Sequence, residues 1–279
     1  MTRHLIAVVG NSPGVGKSTL CHSLATWIGT TGATVDHFRE ADILTRPAFR
    51  PVAEEFADGN NSVRPETLIE STRAYVAESR AAGIDVLVTD ALLPFIPSLV
   101  AWCHDGPAIA QVLRELATAV EPTQVTVVYV HDDPSTALDR AVAREGPAWE
   151  SWYIATLAAS PGTRSVHDLP SAATRLRHEA ALTLRLLATT PWNVITVDVT
   201  DLDAPRTAAH VRHQLTPLHH PHTPPKPHSL QQQDPQAPQR PVEPQGRLWA
   251  GLGRSTPTEG WISSCPSVCL SFVDQHGLE

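Results

Sequence analysis

Lysine is nearly absent from this sequence of 279 residues. Lys17 is the only lysine before Lys226, and arginine supplies the other basic side chains of that stretch. The net charge is −8, which excludes the basic surface that is typical of nucleic-acid binding. No apolar run approaches the roughly 20 residues that are needed to span a bilayer, so we expect no contact with nucleic acid or membrane.

Cysteine is scarce as well, with Cys21 and Cys103 in the first part of the chain and Cys265 and Cys269 near its end. No second pair at ligand spacing completes a zinc site, and we expect no redox role for any of the four. The apolar residues after Met1 continue directly into a glycine-rich segment and do not resemble a signal peptide. We therefore expect a cytoplasmic protein.

A glycine-rich segment, Gly10-Asn-Ser-Pro-Gly-Val-Gly-Lys-Ser-Thr-Leu20, follows the apolar run Leu5-Ile-Ala-Val-Val9. A turn between a buried strand and a helix directs several backbone N–H groups at one point, and the helix N-terminus adds partial positive charge. Lys17 would reach the outer phosphates of a nucleoside triphosphate, and Ser18 would hold Mg²⁺. The predicted phosphate-binding residues are Asn11, Ser12, Pro13, Gly14, Val15, Gly16, Lys17, Ser18 and Thr19.

This segment departs at one position from the usual phosphate-loop spacing of G-x-x-x-x-G-K-[ST]. Asn11 occupies the first glycine position, and Gly10 lies one residue earlier. Asparagine tolerates positive φ better than most residues, so we expect Asn11 to have a positive φ at this turn position. We expect Gly10 to give the backbone the freedom to turn at the end of the strand. We also expect Lys17 to be exposed at the edge of the sheet.

Short apolar strands alternate with helical segments along most of the chain, which predicts an α/β fold. We expect a three-layer, doubly wound, parallel five-stranded sheet whose strand C-termini meet at one edge beside the glycine-rich segment. The predicted strands are 4–9, 34–38, 85–90, 125–130 and 193–197. The predicted helices are 17–29, 47–57, 65–81, 107–120, 134–144, 170–189 and 204–214.

Charged residues follow two of these strands. Asp90 ends the third strand, where an acid could orient Mg²⁺ through water or take a substrate proton, and a simple helix cap is the alternative. Arg39 and Glu40 follow the second strand, where the guanidinium could bind a phosphate or carboxylate of a second substrate. A surface ion pair explains Arg39 and Glu40 equally well.

Arg140 and Arg144 lie four residues apart and so share one face of the helix after the fourth strand. That helix leads into residues 145–165, which have glycine and proline at both ends and the aromatic residues Trp149, Trp152 and Tyr153 inside. The pattern is typical of a lid, with arginines for phosphate charge and aromatics that could cover a base or exclude water. The alternative is that the aromatics belong to the core and the arginines are solvated.

The composition changes near Pro217, after which proline, histidine and glutamine dominate up to Pro244. Such a segment cannot bury enough apolar surface to offset the entropy of ordering it. The sequence therefore predicts a nucleoside triphosphate-binding domain over residues 1–216 and a disordered extension over residues 217–279.

Together these motifs resemble the nucleoside and nucleotide kinase branch of the P-loop NTPase superfamily, nearest to thymidylate-kinase-like members. The resemblance covers residues 4–197 and is carried by Ser12-Pro-Gly-Val-Gly-Lys-Ser18, Arg39-Glu40, Asp90 and the helix that contains Arg140 and Arg144. It implies that ATP phosphates bind to the loop, that Arg39 and Glu40 approach a phosphate acceptor, and that Arg140 and Arg144 stabilise the transferred phosphoryl group.

The chain also departs from that family. Arg39-Glu40 is not followed by Pro-Gly-Gly, and Asp90 is followed by Ala91-Leu92 in place of an arginine and an aromatic residue. The acceptor therefore stays open among nucleotides, nucleosides and other small molecules. Two functions remain, a Mg-ATP-dependent small-molecule kinase and an ATP-hydrolysing switch that acts on a protein partner. No Asn-Lys-x-Asp or Thr-Lys-x-Asp motif follows the fourth strand, which disfavours a GTPase.

Overall fold

A parallel five-stranded sheet forms the centre of the protein. The computed structural model describes residues 4–57 and 62–219. The strand order is β2-β3-β1-β4-β5, and every neighbouring pair is parallel. The strands are β1 His4–Gly10, β2 Val35–Phe38, β3 Val86–Thr89, β4 Gln124–His131 and β5 Asn193–Asp198. The predicted α/β class and all five predicted strands are confirmed.

Helices cover both faces of the sheet. They are α1 Lys17–Gly29, α2 Arg50–Glu55, α3 Pro65–Ala81, α4 Ile96–Ala101, α5 Gly106–Val120, α6 Pro134–Glu145, α7 Pro147–Ala159, α8 Leu169–Leu187 and α9 Ala204–His219. Two short 3₁₀ helices, Glu40–Leu44 and Pro47–Phe49, precede α2. None of the described helices is both long and apolar enough to cross a membrane.

Apolar side chains of the central strands point alternately to the two faces of the sheet, so helices cover both faces and three layers result. In β1, Leu5 and Val9 pack with α3, α4 and α5, whereas Ile6 and Val8 pack with α1 and α9 on the other face. Successive side chains of a strand point to opposite faces, so a strand that is apolar throughout has to be covered on both. The predicted three-layer, doubly wound arrangement is confirmed.

Two α-helices were not predicted from the sequence, and the boundaries of several others differ, α9 most of all. The structure forms α4 directly after Pro94 and Phe95, and it forms α7 within the segment interpreted as a lid. Helix α9 runs to His219, past the residue where the sequence placed the end of the domain. Residues 220–279, the greater part of the predicted extension, lie outside the described residues.

Candidate functional site

The connection between β1 and α1 is a tight turn that glycine makes possible. We call residues 11–16 and the first turn of α1 the glycine-rich loop. Gly14 has φ 83 and Gly16 has φ 91, a region that other L residues rarely adopt. No side chain caps the N-terminus of α1 at Gly16. The first N–H groups of α1 could therefore donate to an anion.

Gly10 makes room for the side chain of Lys17. A Cβ atom at Gly10 would lie 2.7 Å from Cγ and 2.8 Å from Cδ of Lys17, and 2.5 Å from Cγ2 of Val15. Lys17 is buried, at 7% exposed. The expectation of an exposed Lys17 is wrong because its aliphatic stem packs along the end of β1.

Asn11 anchors the loop to the neighbouring strand. Its Nδ2 donates to the backbone oxygen of Asp132 at 2.7 Å, and its own N–H donates to Val130 at 3.2 Å. Asn11 does not have a positive φ, so the turn conformation expected for it is wrong. A glycine at this position could not make the side-chain contact to Asp132, which ties the loop to the end of β4.

Asp90 follows β3 directly and is 6% exposed. Its Oδ1 has no hydrogen-bond partner within residues 4–57 and 62–219. Asp90 lines a cavity of about 20 Å³ together with Gly10, Lys17 and Phe95. Phe95 has φ 59, an outlier for a bulky residue of the kind that clusters at functional sites. The cavity has room for about one water molecule or ion.

Arg39 and Glu40 lie beside Asp90 at the edge of the sheet. Phe38 of β2 is paired with Thr89 of β3, so the residues that follow the two strands are neighbours. The guanidinium of Arg39 is 66% exposed and donates to Oδ1 of Asp42 at 3.3 Å. Glu40 is buried in the 3₁₀ turn. The exposed Arg39 could reach a bound molecule, whereas Glu40 is buried at the start of the 3₁₀ helix.

Arg140 lies beside the glycine-rich loop, as part of a polar network. Its Nη2 donates to Oδ2 of Asp132 at 2.5 Å, and Thr200 donates to Oδ1 of the same carboxylate at 3.2 Å. Gly14 approaches α6 so closely that a Cβ atom there would lie 2.2 Å from the backbone oxygen of Ala137. Arg144 pairs with its neighbour Glu145 at 2.6 Å. The structure thus brings Arg140 to the loop and holds it there through Asp132.

The aromatic residues of the predicted lid belong to the core. Trp149 and Tyr153 are 1% and 0% exposed, and their rings stack with centroids 4.9 Å apart. They pack with Leu138 and Ala173 between α6, α7 and α8, and Trp152 packs against the same cluster. The expectation that Trp149 and Tyr153 cover a base is wrong, and the alternative that they form core is correct.

A second cavity, of about 220 Å³, lies on the other side of the loop. Gly14, Gly16, Thr19 and Arg140 line one wall of it. The connection from β5 to α9 forms the opposite wall through Val199, Leu202, Ala204 and Thr207. Sequence reasoning missed these four residues, although a connection that follows the last strand had to reach this edge of the sheet. The volume is below that of a pocket for a whole drug-sized ligand and suits one part of a nucleotide.

His37 is a further residue that sequence reasoning missed. Its Nε2 is buried without a hydrogen-bond partner within the described part of the chain. Burial lowers the pKa of His37, and the negative charge of Asp90 opposes that shift in part. The ring lies 6.1 Å from that of His22 on α1. A neutral imidazole therefore lies on the α1 side of the sheet, near Asp90.

No family model matches the chain, and no curated protein matches it. Among solved structures, the chain is similar to the YorR protein of Bacillus subtilis, solved in complex with phosphorylated GDP. The two are 15% identical with a TM-score of 0.46, and the match covers 78% of this chain and 99% of that one. A likeness at this level carries no argument about activity.

Proposed function

We propose that this protein binds Mg-ATP at the glycine-rich loop and transfers the γ-phosphoryl group to a small-molecule acceptor. One observation carries the proposal: Lys17, whose side chain lies against Gly10, lines a small cavity together with Asp90, and Oδ1 of Asp90 is buried without a hydrogen-bond partner among the described residues. A buried lysine, a buried aspartate and an uncapped helix N-terminus together suit a bound triphosphate and its metal ion. Because Mg-ATP is an intracellular substrate, we place the activity in the cytoplasm.

The phosphates of the nucleotide would bind at the glycine-rich loop, and its base or sugar would bind in the larger cavity. The N–H groups at the start of α1 would donate to phosphate oxygens, and Lys17 would contact the outer phosphates. The base or sugar would occupy the cavity between Thr19 and the β5–α9 connection, where Val199 and Leu202 supply apolar contacts. The hydrogen bonds among Asn11, Asp132 and Arg140 would hold the loop in a fixed position next to that connection.

Ser18 and Asp90 are the residues that would hold Mg²⁺. Ser18 lies in the first turn of α1, and Asp90 lines the small cavity together with Lys17, the residue before Ser18. Magnesium is usually bound through one or two protein groups together with phosphate oxygens and water, and this pair fits that pattern. When bound, the ion would neutralise charge on the phosphate oxygens.

In the transfer, the acceptor hydroxyl oxygen forms a bond to the γ-phosphorus while the bond from that phosphorus to the bridging oxygen of ADP breaks. The acceptor proton passes to the carboxylate of Asp90 or Glu40, and ADP leaves with the bonding electron pair. Arg140 and Arg144 on α6 would offset charge on the moving phosphoryl group. Arg39 would orient the acceptor from the edge of β2.

Acceptor-stimulated turnover of Mg-ATP tests this proposal. Arg140→Ala should lower kcat by about 10²–10³, because its donor acts on charge that develops only during transfer. Arg144→Ala should have a smaller effect, because Arg140 lines the cavity beside the glycine-rich loop and Arg144 does not. Arg39→Ala should raise the KM for the acceptor and leave ATP binding unchanged.

Melting curves of each variant separate a loss of fold from a loss of chemistry. If no small molecule in a broad panel of hydroxyl compounds stimulates turnover, the kinase proposal fails and an ATP-hydrolysing switch takes its place. If Arg39→Ala and Arg140→Ala both change only the affinity for ATP, the assigned roles are wrong.

A further inference from the structure

A network of hydrogen bonds joins β2 to helix α3 and to the segment that follows β2. Asp36 of β2 lies at its centre. Arg46 donates from Nη2 to Oδ1 of Asp36 at 2.6 Å and from Nη1 to Oδ2 at 3.1 Å, and the hydroxyl of Tyr75 on α3 donates to Oδ2 at 2.8 Å. Two parallel bonds between a guanidinium and a carboxylate fix the direction of both groups. Arg46 therefore has a defined position relative to β2.

Two aromatic rings hold the guanidinium of Arg46 as well. Its Cζ lies 5.9 Å from the ring centroid of Phe38 and 5.7 Å from that of Tyr75. Both rings are buried. A guanidinium within about 6 Å of a ring centroid is attracted by the ring. The position of Arg46 is thus set by a carboxylate and by two rings that cannot themselves move freely.

Asp42 connects Arg46 to Arg39. The N–H of Arg46 donates to the backbone oxygen of Asp42 at 2.9 Å, and Nη2 of Arg46 lies 3.9 Å from Oδ2 of Asp42. The carboxylate of Asp42 accepts from the N–H of Arg39 at 2.9 Å and from Nη2 of Arg39 at 3.3 Å. The side chain of Asp42 is 12% exposed, whereas that of Arg39 is 66% exposed. We refer to Asp36, Asp42, Arg46 and Tyr75 as the β2 network.

Aromatic packing, rather than the β2 network, holds this part of the fold together. The rings of Phe38, Phe49 and Tyr75 have centroids 4.8 to 6.2 Å apart and join β2 to the second 3₁₀ helix and to α3. The side chains of Asp36 and Arg46 are 18% and 34% exposed, and partly exposed ion pairs add little to the free energy of unfolding. What this pair adds is a fixed direction for the groups next to it.

Arg39 is the member of this chain of contacts that lies at the proposed site. Phe38 is paired with Thr89, so Arg39 follows β2 at the same edge of the sheet at which Asp90 follows β3. One N–H of the Arg39 guanidinium, on Nη2, donates to Asp42. A guanidinium has five N–H groups, which leaves those on Nε and Nη1 to donate to a bound molecule.

We infer that Asp36 and Arg46 are positioning residues for the phosphate acceptor. They fix Asp42, and Asp42 directs the guanidinium of Arg39 toward the molecule that receives the phosphoryl group. The identity of that molecule as an acceptor rests on the proposed function. An arginine that is already oriented loses less side-chain entropy when a molecule binds to it. The β2 network should therefore lower the KM for the acceptor and leave the chemical step unchanged.

The mobility of Arg39 tests the positioning role without ATP or an acceptor. NMR relaxation of the Nε–H groups in the full chain with isotope-labelled arginine measures it, and the signal that Arg39→Ala removes is that of Arg39. Arg46→Lys keeps the charge and loses the two parallel bonds, whereas Asp36→Asn keeps the shape and loses the charge. In each variant the order parameter of Arg39 should fall by about 0.2 or more. The melting temperature should stay within a few degrees of the wild type.

Acceptor kinetics test the link from Arg39 to the acceptor. Arg46→Lys and Asp36→Asn should each raise the KM for the acceptor by roughly 3- to 10-fold, the cost of ordering one long side chain on binding. The kcat and the Kd for Mg-ATP should stay unchanged. In the Arg39→Ala protein, the addition of Arg46→Lys should raise the KM no further, because the network acts through Arg39.

Arg50→Lys is the matched control. Arg50 lies on α2, is exposed, and pairs with Glu54 outside the β2 network. The same substitution there should leave the mobility of Arg39 and the KM for the acceptor at their wild-type values.

Unchanged mobility of Arg39 in both variants overturns the inference, whatever the activity of the protein. A further rise in KM when Arg46→Lys is added to Arg39→Ala overturns it as well, because such an effect bypasses Arg39. If Arg39 becomes mobile and the KM stays at its wild-type value, the inference fails while the kinase proposal stands. If no small molecule stimulates turnover, the proposed function and the acceptor role of Arg39 fail together, and the relaxation data still decide whether Arg46 fixes Arg39.

Discussion

Gly10→Ala tests whether the end of β1 is shaped around the side chain of Lys17. The new Cβ atom would lie 2.5 Å from Cγ2 of Val15 and 2.7 and 2.8 Å from Cγ and Cδ of Lys17. Gly10 does not have a positive φ, so alanine fits its backbone without strain. The whole cost therefore falls on the two side chains, and Lys17 has to leave its position.

Overpacking of this kind costs about 1–3 kcal/mol. If Lys17 has to return to the phosphates when Mg-ATP binds, the binding free energy is reduced by this cost. The affinity for Mg-ATP then falls by roughly 5- to 150-fold, since about 1.4 kcal/mol corresponds to a factor of ten. If Lys17 stays displaced, its contact with the phosphates is lost altogether. The effect on the free energy of unfolding should be smaller, because both side chains can move toward the open side of the loop.

Equilibrium titration with a fluorescent ATP analogue measures the effect, and two other glycines serve as controls. In Gly16→Ala the new Cβ has no atom within 4 Å, so the only effect is the backbone strain of alanine at φ 91. This strain should lower the free energy of unfolding by about 1–2 kcal/mol. Gly29→Ala has open space and no positive φ, and should leave nucleotide affinity unchanged. Wild-type affinity in Gly10→Ala would refute the reasoning about Lys17.

Three further predictions concern other parts of the chain. Burial raises the pKa of Glu179 from 4.5 to about 7, so the free energy of unfolding should fall by at most roughly 3 kcal/mol as the pH rises between these values. Urea titrations at about pH 5 and 7.5 measure this difference, and Glu179→Gln should reduce it. Trp149→Ala should lower the free energy of unfolding by about 3–5 kcal/mol, because its ring is buried against Tyr153, and a change below 1 kcal/mol would contradict the core assignment. A chain that ends at His219 should keep the melting temperature and Mg-ATP affinity of the full chain to within a few degrees and twofold, and a large drop in either would show that residues 220–279 dock on the domain.

The sheet could be predicted from the sequence because its signals are local. Each strand is a short apolar run between turn residues, and the helices between strands leave only a parallel arrangement. The glycine-rich loop is local in the same sense, since its residues are consecutive. Its direct connection of a buried strand to a helix was therefore predicted correctly.

The contacts that define the site could not be predicted, because they join distant segments. Asn11 and Asp132 are 121 residues apart, and the sequence offered only a local explanation for Asn11, a positive φ that the structure does not have. Helix α7 was missed because its glycine and proline flanks are equally typical of a lid, and only the packing of Trp149 decides between the two.

Calorimetric titration of Mg-ATP into the wild-type protein and Lys17→Met tests the central claim most directly. Methionine keeps an aliphatic stem beside Gly10 and removes only the ammonium, so the melting temperature should stay close to that of the wild type. We expect saturable binding to the wild type at one site and a loss of at least tenfold in affinity for Lys17→Met. Lys17→Arg should also bind weakly, because a planar guanidinium does not fit a space that is shaped for a compact ammonium. Equal affinity of Lys17→Met and the wild type, or the absence of any binding to the wild type, would contradict the account.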